Sequence, residues 1–206
     1  VTPAVPGPDA WRGTGFEAAL EEVLHTPRLL LEPVATRHAE EMFARLGDVR
    51  LYEHVPQDPP VSLDAVRERY ARLSTRRSPD GDELWLNWVT RDRVDGACRG
   101  TLQATVRRNA SAYIAYEVLP PFWRQGLGRE ACARMIAWLA DELGVQRFEA
   151  EVDTLNVASL RLLEHLGFQR AGWRAGADHF KGRSSDEWTL HLAASDFARD
   201  RAPGAR

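Results

Sequence analysis

Residues 118–144 read VLPPFWRQGLGREACARMIAWLADELG, and this stretch decides the fold. From Cys132 through Ile136, Leu139, Ala140 and Leu143 the apolar residues recur at helical spacing, and Gly144 follows as a stop, so the pattern predicts a helix over about 129–143. Gly126 and Gly128 stand just before its N-terminus. Glycines there let a ligand approach the backbone, the first helical amides lack intrahelical acceptors, and the helix dipole favours negative charge. Arg124 and Arg129 add positive charge. The loop reads either as an anion site, phosphate foremost, or as a helix entry turn that needs only glycine's freedom.

Working outward, AYIAYEV (112–118) reads as a strand feeding this loop, and LWLNWVT (84–90) and CRGTLQATVR (98–107) read as an antiparallel hairpin around RDRVDGA. Downstream the pattern predicts a strand at 147–152, a helix at 156–165 and two last strands near 168–174 and 186–193. Upstream, RLLLEPV reads as a strand, and residues 36–47 and 62–75 as helices with Thr36 and Ser62 as N-caps. Between those helices LYEHVPQDPP is irregular and carries Tyr52 and His54, either as one wall of a pocket or as a surface connector. The sum is a mixed α/β domain without internal repeats.

Composition narrows the function classes. The chain has 206 residues, 44% apolar and 28% charged, which suits one soluble domain with a real core. Its 27 basic and 30 acidic residues give a net charge of -3, which argues against nucleic acid as the main partner. Cys98 and Cys132 stand alone, without a disulfide framework or metal-ligand spacing, so no metal is expected and a reducing cytoplasm fits. No apolar run approaches the roughly 20 residues that span a bilayer, and no signal peptide is apparent, so no membrane partner is expected. Residues 1–25 read as a flexible leader with a short helix, FEAALEEVL, able to dock on the domain or on a second copy; 26–198 form the domain and 199–206 a disordered tail.

Two phosphate readings compete. Gly126-x-Gly128-x-x-Ala131, with Glu149 or Glu151 about 20 residues on, matches the dinucleotide fingerprint of nicotinamide enzymes. That fingerprint needs a strand running straight into the first glycine, whereas LPPFWRQ intervenes here. A P-loop fails because no Lys-Ser/Thr follows the glycines.

The strand AYEV, the loop WRQGLGREA and the segment EVDTLNVASLRLLEHLGF together resemble the GNAT superfamily of acetyl-CoA-dependent N-acetyltransferases. TPRLLLEPV and DEWTLHL look most like its RimJ/RimL-like branch. The resemblance covers roughly residues 26–193. It implies a mixed, strongly twisted sheet of about six to seven strands flanked by helices, in which two parallel strands, 112–118 and 147–152, splay to admit coenzyme A. It further implies that the backbone of Tyr116, Glu117 and Val118 pairs with pantetheine. The loop Arg124, Gln125, Gly126, Leu127, Gly128 and Arg129 would hold the pyrophosphate. The family's loop usually begins with Gln or Arg three residues before the first glycine; here Trp123 occupies that place.

Acyl transfer from a thioester to an amine needs a neutral amine, a polarised carbonyl and a protonated leaving thiolate, held together in a near-attack geometry. Glu151 matches the catalytic glutamate of RimI-type relatives and is the first candidate base; Glu117 is the second. Those relatives carry a general-acid tyrosine seven residues after the Asn, where this chain has Leu163. Ser159 shares a helix face with Asn156 and Leu163 and is the replacement donor; Asn156 and Ser159 are also candidate cofactor contacts, against an N-cap and a solvated serine. Glu149, Glu151 and Asp153 alternate onto one strand face that would suit a cationic amine, and Tyr52, His54 and Trp85 are candidate acceptor contacts, with Trp88 assigned to the core. The expected activity is acetylation of a protein N-terminus or a small amine. The missing tyrosine keeps open an acyl-CoA-binding module without turnover, and the short helix and apolar last strands suggest a homodimer.

Overall fold

The computed structural model describes Trp11 and residues 14–201. The parts of the expected leader and tail at 1–10, 12–13 and 202–206 lie outside the described residues. A first helix, α1 (Thr14–Leu20), leads into β1 (Leu24–His25) and β2 (Leu29–Pro33). Two helices, α2 (Ala39–Leu46) and α3 (Leu63–Leu73), precede a meander of β3 (Glu83–Asp92), β4 (Cys98–Arg107) and β5 (Ser111–Val118). The long helix α4 (Leu127–Leu143), β6 (Arg147–Asp153), α5 (Val157–His165), the hairpin β7 (Gln169–Phe180) and β8 (Arg183–Ala193), and α6 (Ala194–Arg201) complete the chain.

All strands join one sheet in the order β1-β2-β3-β4-β5-β6-β8-β7. Its eight strands exceed the expected six to seven because two-residue β1 pairs with β2, Leu24 opposite Leu31. The helix expected over 16–24 therefore stops at Leu20, and fully buried Leu24 is spent on the sheet. Thr36 is not the cap of α2: Thr36–His38 form a 3-10 turn, and the His38 ring accepts the Ala35 amide at Nδ1. Ser62 does cap α3, its Oγ accepting from the Ala65 amide at 3.1 Å. The last two strands run well past their sequence signal, since exposed polar residues with a glycine tip carry no alternation.

Strand alternation divides the packing between two faces. Leu84, Leu86 and Trp88 of β3, Leu102, Ala104 and Val106 of β4 and Ile114 of β5 join α4 in the main core, where Trp88 meets Trp138 edge-on with ring centroids 5.9 Å apart. Trp11, Leu20 and Leu24 are buried in the same core. On the opposite face Val89 and Cys98 pack with Met42, Leu46, Val66 and Tyr70 of α2 and α3. The parallel pair is short. β5 aligns with β6 only from Ser111↔Arg147 to Tyr113↔Glu149, after which the strands part and β6 continues with β8 as far as Asp153↔Glu187.

Candidate functional site

Beyond Tyr113 the edge of β5 that faces β6 has no strand partner, so its backbone donors and acceptors line the cleft opened by the splay. Just past this edge the chain makes a 3-10 turn at Pro120–Phe122 and then the glycine loop. Arg124 and Gly126 both adopt left-handed backbone, at φ 61° and 76°, which swings the chain into α4 at Leu127. The first amides of α4 have no intrahelical acceptor. A Cβ at Gly128 would lie 2.9 Å from Leu162 Cδ1 and 3.1 Å from Val118 Cγ2, so glycine lets the loop close onto α5 and the end of β5 without displacing either side chain.

A small pocket beside this loop is lined by Val118, Leu127 and Gly128 together with Leu29, Leu102 and the Glu117 position of β5. Glu117 comes from β5 on the α2–α3 face, in a cross-strand row with Thr101 and Val89. It is half-buried, and its Oε1 is buried without a hydrogen-bond partner. Burial pushes its carboxyl up to about 7 against the opposing charge of Arg69 on α3. A group of that kind holds a proton in acid and releases it near neutrality.

The other proposed base differs. Glu151 is exposed on β6. The carboxylate row it belongs to is largely engaged: Glu149 is bound by Arg107 at 3.3 Å and Arg147 at 2.9 Å, and buried Asp153 by Arg183 at 2.6 Å and Ser185 Oγ at 2.7 Å. These pairs leave little of the row for a cationic amine.

On the opposite face of β5, Tyr116 reaches α5. Its hydroxyl lies 2.6 Å from Ser159 Oγ and 3.2 Å from the Ser159 carbonyl. Burial lifts the phenol well above its ordinary range, which keeps it protonated. Leu163, where the family's tyrosine would stand, is fully buried. Asn156 is the N-cap of α5, its Oδ1 accepting from the Ser159 amide at 3.1 Å. The Tyr116 side chain escaped sequence reasoning, which used only its backbone; strand alternation sends it toward α5, but nothing local shows that it ends against Ser159. The Trp123 indole N–H donates to the Val118 carbonyl, one of the groups expected to meet pantetheine.

The three candidate acceptor residues separate. Tyr52 is buried and donates to the Leu46 carbonyl at 2.9 Å, so it packs, although the Glu117 charge reaches it. His54 follows in the loop with a buried Nδ1 that has no partner. Trp85 shares the face of Glu117 but lies in a different row, opposite Thr105 and thence Tyr113, with its indole bound to Glu83 at 3.1 Å.

The dinucleotide alternative does not fit this geometry. β5 ends at Val118, the 3-10 turn intervenes before Gly126, and most of the sheet is antiparallel. Among the described residues no group of three or more His, Cys, Asp or Glu side chains forms a metal cluster, and no helix is long and apolar enough to cross a membrane.

Comparison with known proteins agrees with the geometry. The model of the acetyltransferase (GNAT) domain matches residues 28–169. The uncharacterized N-acetyltransferase YoaA of Bacillus subtilis is 26% identical over 152 residues, covering 73% of this chain and 84% of that one. RimJ of Mycobacterium smegmatis, solved with CoA-disulfide, superposes with a TM-score of 0.74 at 22% identity, covering 86% of this chain and 90% of that one. The spermidine N-acetyltransferase of Vibrio cholerae, solved with CoA and spermine, gives 0.70 at 18% identity and covers 82% and 98%.

Proposed function

The chain belongs to the GNAT acetyltransferase family and is an acyltransferase, and from that premise we propose that it moves an acetyl group from acetyl-CoA to a primary amine by direct attack in a ternary complex. The observation that carries the reading is the glycine turn set at the end of β5, whose edge beyond Tyr113 is unpaired and which carries half-buried Glu117.

Acetyl-CoA supplies the acetyl thioester. The glycine loop and the first amides of α4 suit its diphosphate, since Cβ atoms at Gly126 and Gly128 would crowd or strain the cradle. The free edge of β5 at Tyr116, Glu117 and Val118 suits the pantetheine amides, with Trp123 yielding the Val118 carbonyl. Asn156 serves through its cap, which fixes Ser159.

Glu117 acts as the base, ahead of exposed Glu151. Its orphan Oε1 takes the proton that the amine sheds as the C–N bond forms, and its raised affinity for protons matches that task near neutral pH. Ser159, backed by the Tyr116 hydroxyl, returns a proton to the sulfur as the C–S bond breaks. His54 and Trp85 border the acceptor side, with Tyr52 behind them as packing.

The acceptor is a protein N-terminus, in the manner of the RimJ/RimL-like branch, or a small amine of the kind named for the Vibrio cholerae neighbour. Buried unpaired thiols at Cys98 and Cys132 suit a cytoplasmic enzyme. A homodimer belongs to the same reading, supported by Trp173, 55% exposed on the free edge strand β7. Light scattering at twice the chain mass would support it, and the mass of one chain would remove it.

Buried Leu163 favours a second reading, a CoA-binding module without turnover. One experiment separates them. Calorimetric titration with CoA and acetyl-CoA, beside NADH as control, is followed by thiol release on a panel of amines and peptide N-termini. Binding with release supports the enzyme, binding without release the module, and no CoA binding defeats both.

A further inference from the structure

We propose that Arg28 is a coenzyme A-binding residue, whose side chain fixes the glycine loop from outside the loop and presents Nη2 to a phosphate oxygen. The proposal rests on the reading of that loop as the diphosphate site.

Arg28 lies one residue before β2, far in sequence from the loop, yet it grips both ends of the glycine turn. Its backbone N–H donates to Glu130 Oε1 at 2.9 Å, its Nε to Glu130 Oε2 at 2.7 Å and its Nη1 to the Gln125 carbonyl at 2.9 Å. Thr26 Oγ1 adds a bond to Glu130 Oε1 at 2.6 Å. Gln125 precedes Gly126, and Glu130 sits in the first turn of α4, so the segment Thr26–Arg28 staples the turn at entry and exit.

The chemistry of the pair points to an anion. A carboxylate in the first turn suits the helix dipole but repels any anion arriving at the same amides. Burial alone would raise the Glu130 carboxyl; the bonds from Thr26 and from the backbone and guanidinium of Arg28 outweigh it and hold Glu130 ionised. Arg28 cancels that charge where a phosphate would dock.

Its fork has donors to spare. Nη2 takes part in none of the bonds named, and a Cβ on Gly126 would lie 3.5 Å from it. The side chain is 48% exposed, so this donor is reachable from solvent at the left-handed turn. Arg124 and Arg129 are exposed and form no hydrogen bond or ion pair with the described residues, so ordering either on a ligand costs side-chain entropy. Arg28 is already ordered by its two partners, which makes it the preorganised cation of the loop.

The test titrates CoA onto the wild type, Arg28→Ala, Arg28→Lys and the charge-neutral pair Arg28→Gln with Glu130→Gln. It also compares acetyl transfer from acetyl-CoA with transfer from S-acetyl-N-acetylcysteamine, a thioester without phosphates. Arg28→Ala is expected to weaken CoA binding by about tenfold or more and to raise KM for acetyl-CoA while kcat holds. Turnover of the truncated thioester should stay at the wild-type level, and Arg28→Lys should recover part of the loss. Should the alanine variant fail to fold, the double Gln variant carries the test, because it removes the guanidinium and its partner's carboxylate together and leaves neither charge uncompensated. Unchanged CoA affinity in the folded variants overturns the proposal, as does an equal loss with the truncated donor. If the wild type itself binds no CoA, the reading of the loop falls, and this proposal with it.

Discussion

The Tyr116 hydroxyl bridges β5 and α5, 2.6 Å from Ser159 Oγ and 3.2 Å from the Ser159 carbonyl. The next residue, Glu117, points to the opposite face of the sheet, as strand alternation requires. Two successive residues at the splay thus deliver a hydroxyl to the α4–α5 side and a carboxylate to the α2–α3 side.

If the hydroxyl pair protonates the leaving sulfur, Ser159→Ala should lower kcat by roughly 10–100-fold with KM for the amine unchanged. Tyr116→Phe should have a smaller effect, since Ser159 keeps its own hydroxyl. Neither variant should cost more than about 1–2 kcal/mol of stability, because Tyr116 retains the Ser159 carbonyl as acceptor in the first. Steady-state kinetics beside thermal melts check the pair of expectations; wild-type kcat in both variants removes the role.

Glu117 makes two predictions of opposite sign. As base it must be ionised, so kcat/KM should rise through an apparent pKa near 7 in the wild type, and Glu117→Gln should lose about 10²–10⁴ in rate. Stability runs the other way. The folded-state pKa is raised from 4.5 to about 7, so the folded chain holds more protons than the unfolded chain across that window. Stability contributed by the protonated form is present below the lower value and is lost as pH rises through the upper one. Glu117→Gln should therefore melt higher than the wild type at about pH 8 and alongside it at about pH 4.

Glu41 on α2 shows the reverse linkage. Burial would raise its carboxyl, but the Cys98 amide at 2.9 Å and Arg91 Nη1 at 3.0 Å bring it down to about 2. Its contribution is present above the unfolded value of 4.5 and lost as pH falls through about 2. Glu41→Ala leaves the buried Cys98 amide without this acceptor and should cost about 1–3 kcal/mol at neutral pH. The difference between variant and wild type should close toward pH 2 in acid-unfolding curves.

Much of this arrangement was legible in the sequence, for a local reason. The apolar period of α4, the glycines ahead of it and Gly144 with φ 66° after it are nearest-neighbour signals. Ser62 announced the start of α3 in the same way. What could not be read depends on residues distant in sequence. Glu117 and Glu151 are both strand glutamates near a splay, and only the packing of α3, with Arg69 and Tyr70, separates the buried one from the exposed one. Arg28 and Glu130 are 102 positions apart, so no spacing rule links them. The hydroxyl partner of Ser159 comes from β5 and not from its own helix, which is why a search for a tyrosine beyond Asn156 finds none.

Gly100 supplies the last prediction, because it stands where the β4 backbone passes the site. It pairs with Val118 across β4 and β5, and an added Cβ would drive into the carbonyl oxygen of Glu117. The obstacle is backbone and not the end of a side chain, so no rotamer change relieves it and β5 must shift at the residue proposed as base. Gly126→Ala differs: a Cβ there finds open space apart from Arg28, and the cost is the left-handed φ of 76°, about 1–2 kcal/mol. Gly100→Ala should thus destabilise by about 4 kcal/mol or more or prevent folding. In whatever fraction folds, kcat should fall by more than CoA affinity does, because the shifted β5 segment carries both the proposed base and part of the proposed pantetheine edge. Gly126→Ala should fold and instead lose CoA affinity. Melting curves with CoA titration on the two variants test the contrast, and equal loss of both properties in both variants would mean that the loop and the Glu117 strand segment do not act separately.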